Sequence, residues 1–282
     1  MRLDNIILTV VCGMSVVIAV AICWRWSRLP VVAARDPAPD TAVGAARDAV
    51  RTLACAVAAG FTAGVLVVGL VGRLVMRVLA ATSGDVAQGR TTDAGEQVGE
   101  ITLGGSLGFL IFVGLLAPIA SSLVFIAFRR LVRGPAWLVG LLFGVLLLAT
   151  FGVSDPLNPD NVDFFILDPL WLAVALVGGT AFLFGITLAS LVARLDATVA
   201  PQMGPGQSKV RDIAVYCSLG WLVLAFPLAV PSLLYVGGRA VFRGRLSGTL
   251  EKRPVRTLGH VAAAVVTIVG AIVVFGAVTE IM

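Results

Sequence analysis

Long apolar runs separated by short charged segments set the rhythm of this chain. A helix rising 1.5 Å per residue needs about 20 mostly apolar residues to cross a hydrocarbon layer roughly 30 Å thick. By that rule seven runs qualify, at residues 5–24, 52–79, 101–127, 136–153, 169–192, 213–236 and 258–279. Each is predicted to be helical, because an open strand edge in lipid would leave backbone N–H and C=O groups unpaired. That constraint outweighs the many β-branched residues in these runs. The pattern therefore predicts an all-α fold, a polytopic transmembrane helix bundle with about seven transmembrane helices.

The polar segments between the runs give an orientation. Arg25, Arg28, Arg35, Arg47 and Arg51 follow the first run, and Arg129, Arg130 and Arg133 follow the third. Positive loops stay on the cytoplasmic side. Residues 82–100 carry Asp85, Asp93, Glu96 and Glu100 against Arg90, and residues 154–168 carry Asp155, Asp160, Asp163 and Asp168 with no Lys or Arg. Those loops are expected outside, with the amino terminus. Residues 237–257 break the alternation: Arg239, Arg243, Arg245, Lys252, Arg253 and Arg256 fall on the outer side if all seven runs cross. Seven full crossings are the favoured reading, since two arms of about 12 residues make a short hairpin. The alternative is a sixth run, interrupted by Pro227 and Pro231, that enters and returns on the cytoplasmic side.

Breaker-rich segments suggest divisions. Residues 1–29 read as an amino-terminal transmembrane anchor retained after synthesis, 30–50 as a cytoplasmic linker or surface helix, and 51–195 as the core bundle. The Pro- and Gly-containing stretch within 196–210 is a second linker, leaving 211–282 as a carboxy-terminal appendage with two apolar runs.

Composition narrows the class further. The chain is 59% hydrophobic and 13% charged, with a mean hydropathy of +1.00, where soluble domains carry about 25% charged residues. A net charge of +5 sits in short inter-run segments, as expected for loops facing anionic lipid, so no nucleic-acid partner is implied. Cys12, Cys23, Cys55 and Cys217 all lie in apolar runs without a C-x-x-C pair and read as buried small hydrophobes. The single histidine, His260, rules out bis-histidine haem ligation within one chain. H-E-x-x-H, G-x-S-x-G and P-loop motifs are missing, and no Asp, Glu or Lys occupies the middle of a run. Neither a cofactor nor a metal is expected, and a proton-coupled carrier of the usual kind is disfavoured.

Candidate chemistry concentrates at one boundary. Arg73 and Arg77 are four apart on the second run, on one helix face. Arg73 lies about 30 Å along the axis from Leu53, a full hydrocarbon thickness. Both arginines are therefore expected at the outer boundary. Three roles fit them: snorkelling to headgroups, binding a lipid phosphate or small anion, or pairing with the outer acids Glu96, Glu100, Asp163 and Asp168. The stretch from Asp155 to Asp163 lacks EF-hand spacing and reads as an acidic loop with Asx-turns. Asp168 and Pro169 read as an N-cap and first helical residue for the fifth run. Gly60/Gly64, Gly104/Gly108 and Gly140/Gly144 suggest close helix approach. Trp24, Trp26, Trp137 and Trp171 fall at interfacial levels.

The segments Gly72-Arg73-x-x-Met76-Arg77-x-Leu79-Ala80, Thr102-Leu103-Gly104-Gly105 and Val162-Asp163-Phe164, with Pro169-x-Trp171-Leu172, resemble a group of uncharacterised integral membrane proteins of high-GC Gram-positive bacteria. The resemblance spans about residues 55–190. It implies a cytoplasmic-membrane protein and brings no activity with it. Three functional classes stay open: an accessory protein binding membrane lipid, a partner subunit or its own copies; a carrier or channel for a small solute or anion; and a lipid-modifying enzyme.

Overall fold

The computed structural model describes residues 3–31, 41–84, 87–91, 98, 103–132, 134–155, 157–158, 160–161, 163, 166–199, 210–224, 226–242 and 253–282. These residues are almost wholly helical. Helix α1 is Leu3–Trp26. Helix α2 is one rod of 41 residues, Ala42–Thr82, started by Thr41, whose side chain accepts from Gly44 N at 3.1 Å. It begins well ahead of the apolar run at 52, because the alanine-rich segment behind that cap continues the helix toward Arg51. Helix α3 joins Leu103–Ile111 to Ala117–Leu131, α4 is Ala136–Gly152 and α5 is Leu170–Thr198. The sixth apolar run is divided among α6, Val210–Cys217, α7, Gly220–Leu224, and α8, Phe226–Phe242. The last helix, α9, is Arg253–Ile281. Among the described residues five helices, α1, α2, α3, α5 and α9, are long and apolar enough to cross a membrane; α4 is shorter.

Three rods widen locally into π-helix, at Gly64–Val71 in α2, Phe112–Leu116 in α3 and Leu148–Gly152 in α4. The α3 stretch has a visible cause. Pro118 has no N–H to offer the preceding turn and its ring crowds the carbonyl four residues back, and Ala117 N donates to Phe112 O across the widened turn. The displaced backbone of Gly114 lies against α2: a Cβ at Gly64 would stand 2.5 Å from Gly114 O, and one at Gly114 would stand 3.0 Å from Gly69 Cα. Glycine is needed at these positions for the two backbones to touch. Gly60 meets Ser122 in the same seam, and Gly140 and Gly144 pack on α5 against Gly185, Ile186 and Phe182. Gly108, expected in such a contact, faces open space.

The core lies among α1, α2, α3, α4 and α5. Phe125, Phe128 and Phe143 form one aromatic group with Val67, Val139 and Leu188, and Ala19, Ile22 and Trp26 of α1 pack into it. A two-residue antiparallel pair, β1 (Pro30–Val31) with β2 (Gly134–Pro135), links the end of α1 to the start of α4. Ala136 N and Trp137 N extend it by donating to Leu29 O and Ser27 O, each at 2.9 Å.

Segments α6 to α8 run out along α2 and come back. Val215 packs beside Ala54 and Cys55, Leu222 on Val57 and Ile119, and Trp221 stacks on Phe61 with ring centroids 5.1 Å apart. On the way back Leu228 joins the Val57 and Ile119 group, Tyr235 and Val236 join Leu53, Ala56 and Ile126, and Arg239 reaches Asp48 at 2.9 Å. Both ends of this unit therefore lie at the same end of α2. Helix α9 packs on α4, with Gly270 against Ala149 and Val145 and with Val274 and Ile281 beside Leu148, Leu157 and Leu170.

At the start of α5 the order differs from expectation. Pro169 itself is the N-cap, in extended conformation, after a cis peptide bond from Asp168. Leu172 N donates to Pro169 O at 3.0 Å. Asp168 therefore precedes the cap and uses its backbone N–H on Ser83 Oγ at 3.0 Å.

Candidate functional site

Charged side chains gather at the two ends of the bundle. One end holds the carboxy-terminal half-turns of α2, the start of α3 and the loop between α4 and α5. Arg73 lies over the Phe109 ring, 4.8 Å from guanidinium carbon to centroid, and donates to Gly105 O. A cation on an aromatic face is attracted by the ring quadrupole, so Arg73 ties α2 to α3. Arg77, one turn on, donates to Thr9 Oγ1 of α1 at 2.8 Å. The two arginines thus share one helix face, as their spacing requires, but engage different neighbours. Both are half-buried, with Met76 and Val78 exposed beside them.

The acids proposed as their partners divide. Glu96 and Glu100 lie outside the described residues. Asp168 is placed through its backbone contact with Ser83. Asp163 belongs to a loop held by Asx-turns: Asp160 N donates to Asn158 Oδ1 at 3.1 Å and Asp163 N to Asn161 Oδ1 at 2.8 Å. Asn161 Nδ2 closes the loop on Asp155 O at 3.1 Å. Arg73, Arg77 and Asp163 each make interactions beyond those named.

The opposite end carries a denser polar cluster. Arg51 is 4% exposed and Arg129 is 2% exposed, although both sit in segments whose pattern reads as solvated loop. The last carbonyls of a helix have no partner within it, and Arg51 supplies one for α5. Its Nε donates to Val199 O at 3.1 Å and its Nη2 to Asp196 O at 2.6 Å. Arg129 of α3 pairs with the Asp196 carboxylate. Asp196 therefore joins α5 to α2 through its carbonyl and to α3 through its carboxylate, where α3 and α5 end. Around it, Arg130 donates to Tyr235 Oη at 3.1 Å and lies over that ring. Arg239 pairs with Asp48, Arg194 lies over Trp26, and Ser218 donates to Ala54 O at 3.3 Å.

This cluster escaped the reading from sequence, which assigned its arginines to loops. A signal was present: Asp48, Asp196 and Asp212 stand within three residues of Arg47, Arg51, Arg194 and Arg211. Such acids are natural partners for cations leaving water, because an unpaired buried charge is costly. Asp212 is also buried. Of the cysteines, Cys12 and Cys55 are buried as expected, Cys23 contacts Thr187 Oγ1 at 3.4 Å, and Cys217 is exposed. Between the two ends Val67, Phe125, Val139, Phe143 and Leu188 are fully buried and belong to one apolar cluster. The arrangement can hold helices together and present cationic groups at an apolar boundary. Compared with known proteins, the chain matches no family model, no curated protein and no solved structure.

Proposed function

We propose that this is a structural or accessory protein of the cytoplasmic membrane that holds an anionic lipid headgroup or a partner subunit at its outer face through Arg73 and Arg77. The observation that carries the reading is the separation of charge from an apolar middle. Charged groups occupy the two ends, whereas the centre is filled by Val67, Phe125, Phe143 and Leu188. A carrier or channel needs polar groups along a path through the middle. An enzyme needs its acids and cation, here Glu100, Asp163 and Asp168 with Arg73, within hydrogen-bond reach of one substrate atom.

Seven apolar segments lie in the membrane in this reading. The end bearing Arg51, Arg129, Arg130 and Arg194 faces the cytoplasm, by the bias of positive loops toward that side. The amino terminus, whose helix brings Thr9 to Arg77, is then outside. Arg73 and Arg77 stand where phosphates meet acyl chains, and exposed Met76 and Val78 offer apolar contact to the same lipid. The test is lipid carried through purification in mild detergent. Changing both Arg73→Gln and Arg77→Gln should reduce co-purifying anionic phospholipid severalfold while zwitterionic lipid stays constant. An unchanged lipid profile in a folded double variant would refute lipid binding at this site.

A further inference from the structure

Resting on that membrane embedding, we propose that α6, α7 and α8 form a re-entrant hairpin that enters and leaves on the arginine-rich side, so that the chain crosses six times and both termini share the opposite side. Contact depth along α2 traces the path. Along the chain, the hairpin touches Ala54 and Cys55 with Val215, then reaches Phe61 with Trp221 and Val57 with the next residue, Leu222. Returning, it touches Val57 with Leu228, Leu53 and Ala56 with Tyr235 and Val236, and Asp48 with Arg239. Phe61 lies about 15 Å along the axis from Arg51, half the hydrocarbon thickness. The contacts reverse there instead of continuing toward Arg73.

Chemistry agrees with the path. Helix α8 alone has 17 residues, so its length is no obstacle to a return from mid-membrane at 1.5 Å per residue. Its outer side exposes Val230, Leu233, Leu234 and Val241, as a surface facing acyl chains would. Its far end is fastened by groups of the arginine-rich end, Asp48 to Arg239 and Arg130 to Tyr235. Helix α9 then runs from that end outward, since Gly270 lies at Val145 and Ala149 and Ile281 packs with Leu157 and Leu170. Two basic flanks, Arg239 before the connection and Arg253 after it, need not be moved across the membrane. The charge anomaly of residues 237–257 disappears with the sixth crossing. Above the turn of the hairpin, α3 exposes Leu107, Ile111 and Phe112, leaving the outer half of the layer there to acyl chains.

Single cysteines at Asn161, Ser247 and Met282, in a chain with its four native cysteines replaced by alanine, report the sides through a membrane-impermeant maleimide applied to intact cells. The expected result is labelling at Asn161 and Met282, and at Ser247 only after permeabilisation. Labelling of Ser247 together with Asn161, with Met282 protected, overturns the hairpin. Labelling of Ser247 alone keeps the hairpin and overturns the orientation proposed above. Tryptic cleavage at Arg243 and Arg245 in the unaltered protein, compared between right-side-out and inside-out vesicles, gives an independent readout if the cysteine variants fail to fold. Cleavage at Arg243 and Arg245 from the side opposite to cleavage at Arg90 supports the hairpin; cleavage at all three from the same side sinks it.

Discussion

Arg129 and Asp196 show how much a single side chain can carry where α3 and α5 end beside α2. Arg129 is buried while the Asp196 side chain is 19% exposed, so removing the arginine leaves a carboxylate that is only partly hydrated, at a cost of about 1–3 kcal/mol. Arg129→Ala should therefore lower the thermal midpoint in detergent markedly. The double change Arg129→Met with Asp196→Leu should recover most of the loss, because apolar groups need no partner. If the double variant is no better than the single one, the pair is not the source of the effect. Glycines give a second contrast at this scale. A Cβ at Gly140 would meet Gly185 O and Ile186 Cα at 2.5 Å, both backbone atoms that cannot swing aside. Gly140→Val should cost about 2 kcal/mol or more through overpacking. Gly108→Ala, into open space, should be neutral or stabilise by up to about 1 kcal/mol through helix propensity. Unfolding in mixed micelles measures both, and equal effects would deny that the α4–α5 seam depends on its small residues.

Helices were legible where they are long and uniformly apolar. Hydropathy located α1, α3, α5 and α9 because lipid leaves the backbone no alternative to intrahelical bonding. It could not show that the sixth run turns back, since apolar periodicity is the same on either side of a bend. The basic residues of 237–257 and the interrupting Pro227 and Pro231 hinted at it. The π stretches were equally hidden: Pro118 marks one of them, but the widened turns of α2 and α4 have no comparable residue. The depth of Arg73 and Arg77 could be counted from helix rise, whereas their neighbours Thr9, Gly105 and Phe109 belong to other helices and depend on packing. Arg51 as a cap for α5 was invisible for the same reason, being remote in sequence from Val199. At this scale the hairpin makes its own prediction. Asp48→Asn removes the charge that fastens Arg239, and should speed amide hydrogen exchange in α8 while leaving α4 and α5 unchanged. Uniform acceleration throughout the bundle would mean that Asp48 supports the whole fold and not the return arm.

Taken whole, the molecule is an apolar girdle between a compactly paired arginine-rich end and an acidic end with two embedded cations. Helix α9 is the least enclosed of the five candidate spans, with Val265, Val269 and Ile272 exposed. Such a surface is tolerable only against acyl chains or another apolar body. Val269→Arg should cost about 3 kcal/mol of apparent insertion free energy if α9 sits in a bilayer. The readout is the fraction of chains integrated in microsomal membranes, and undiminished integration would argue that this surface lies outside the lipid. The small β1–β2 pair bears on the integrity of the assembly in another way. Its bonds, including Ala136 to Leu29 and Trp137 to Ser27, are made by main chain alone. Side-chain substitutions in β1 leave such bonds intact, provided the new residue keeps its N–H. A chain severed between residues 32 and 40 should keep its first helix in place, and the two fragments should travel as one particle until the bundle itself is unfolded.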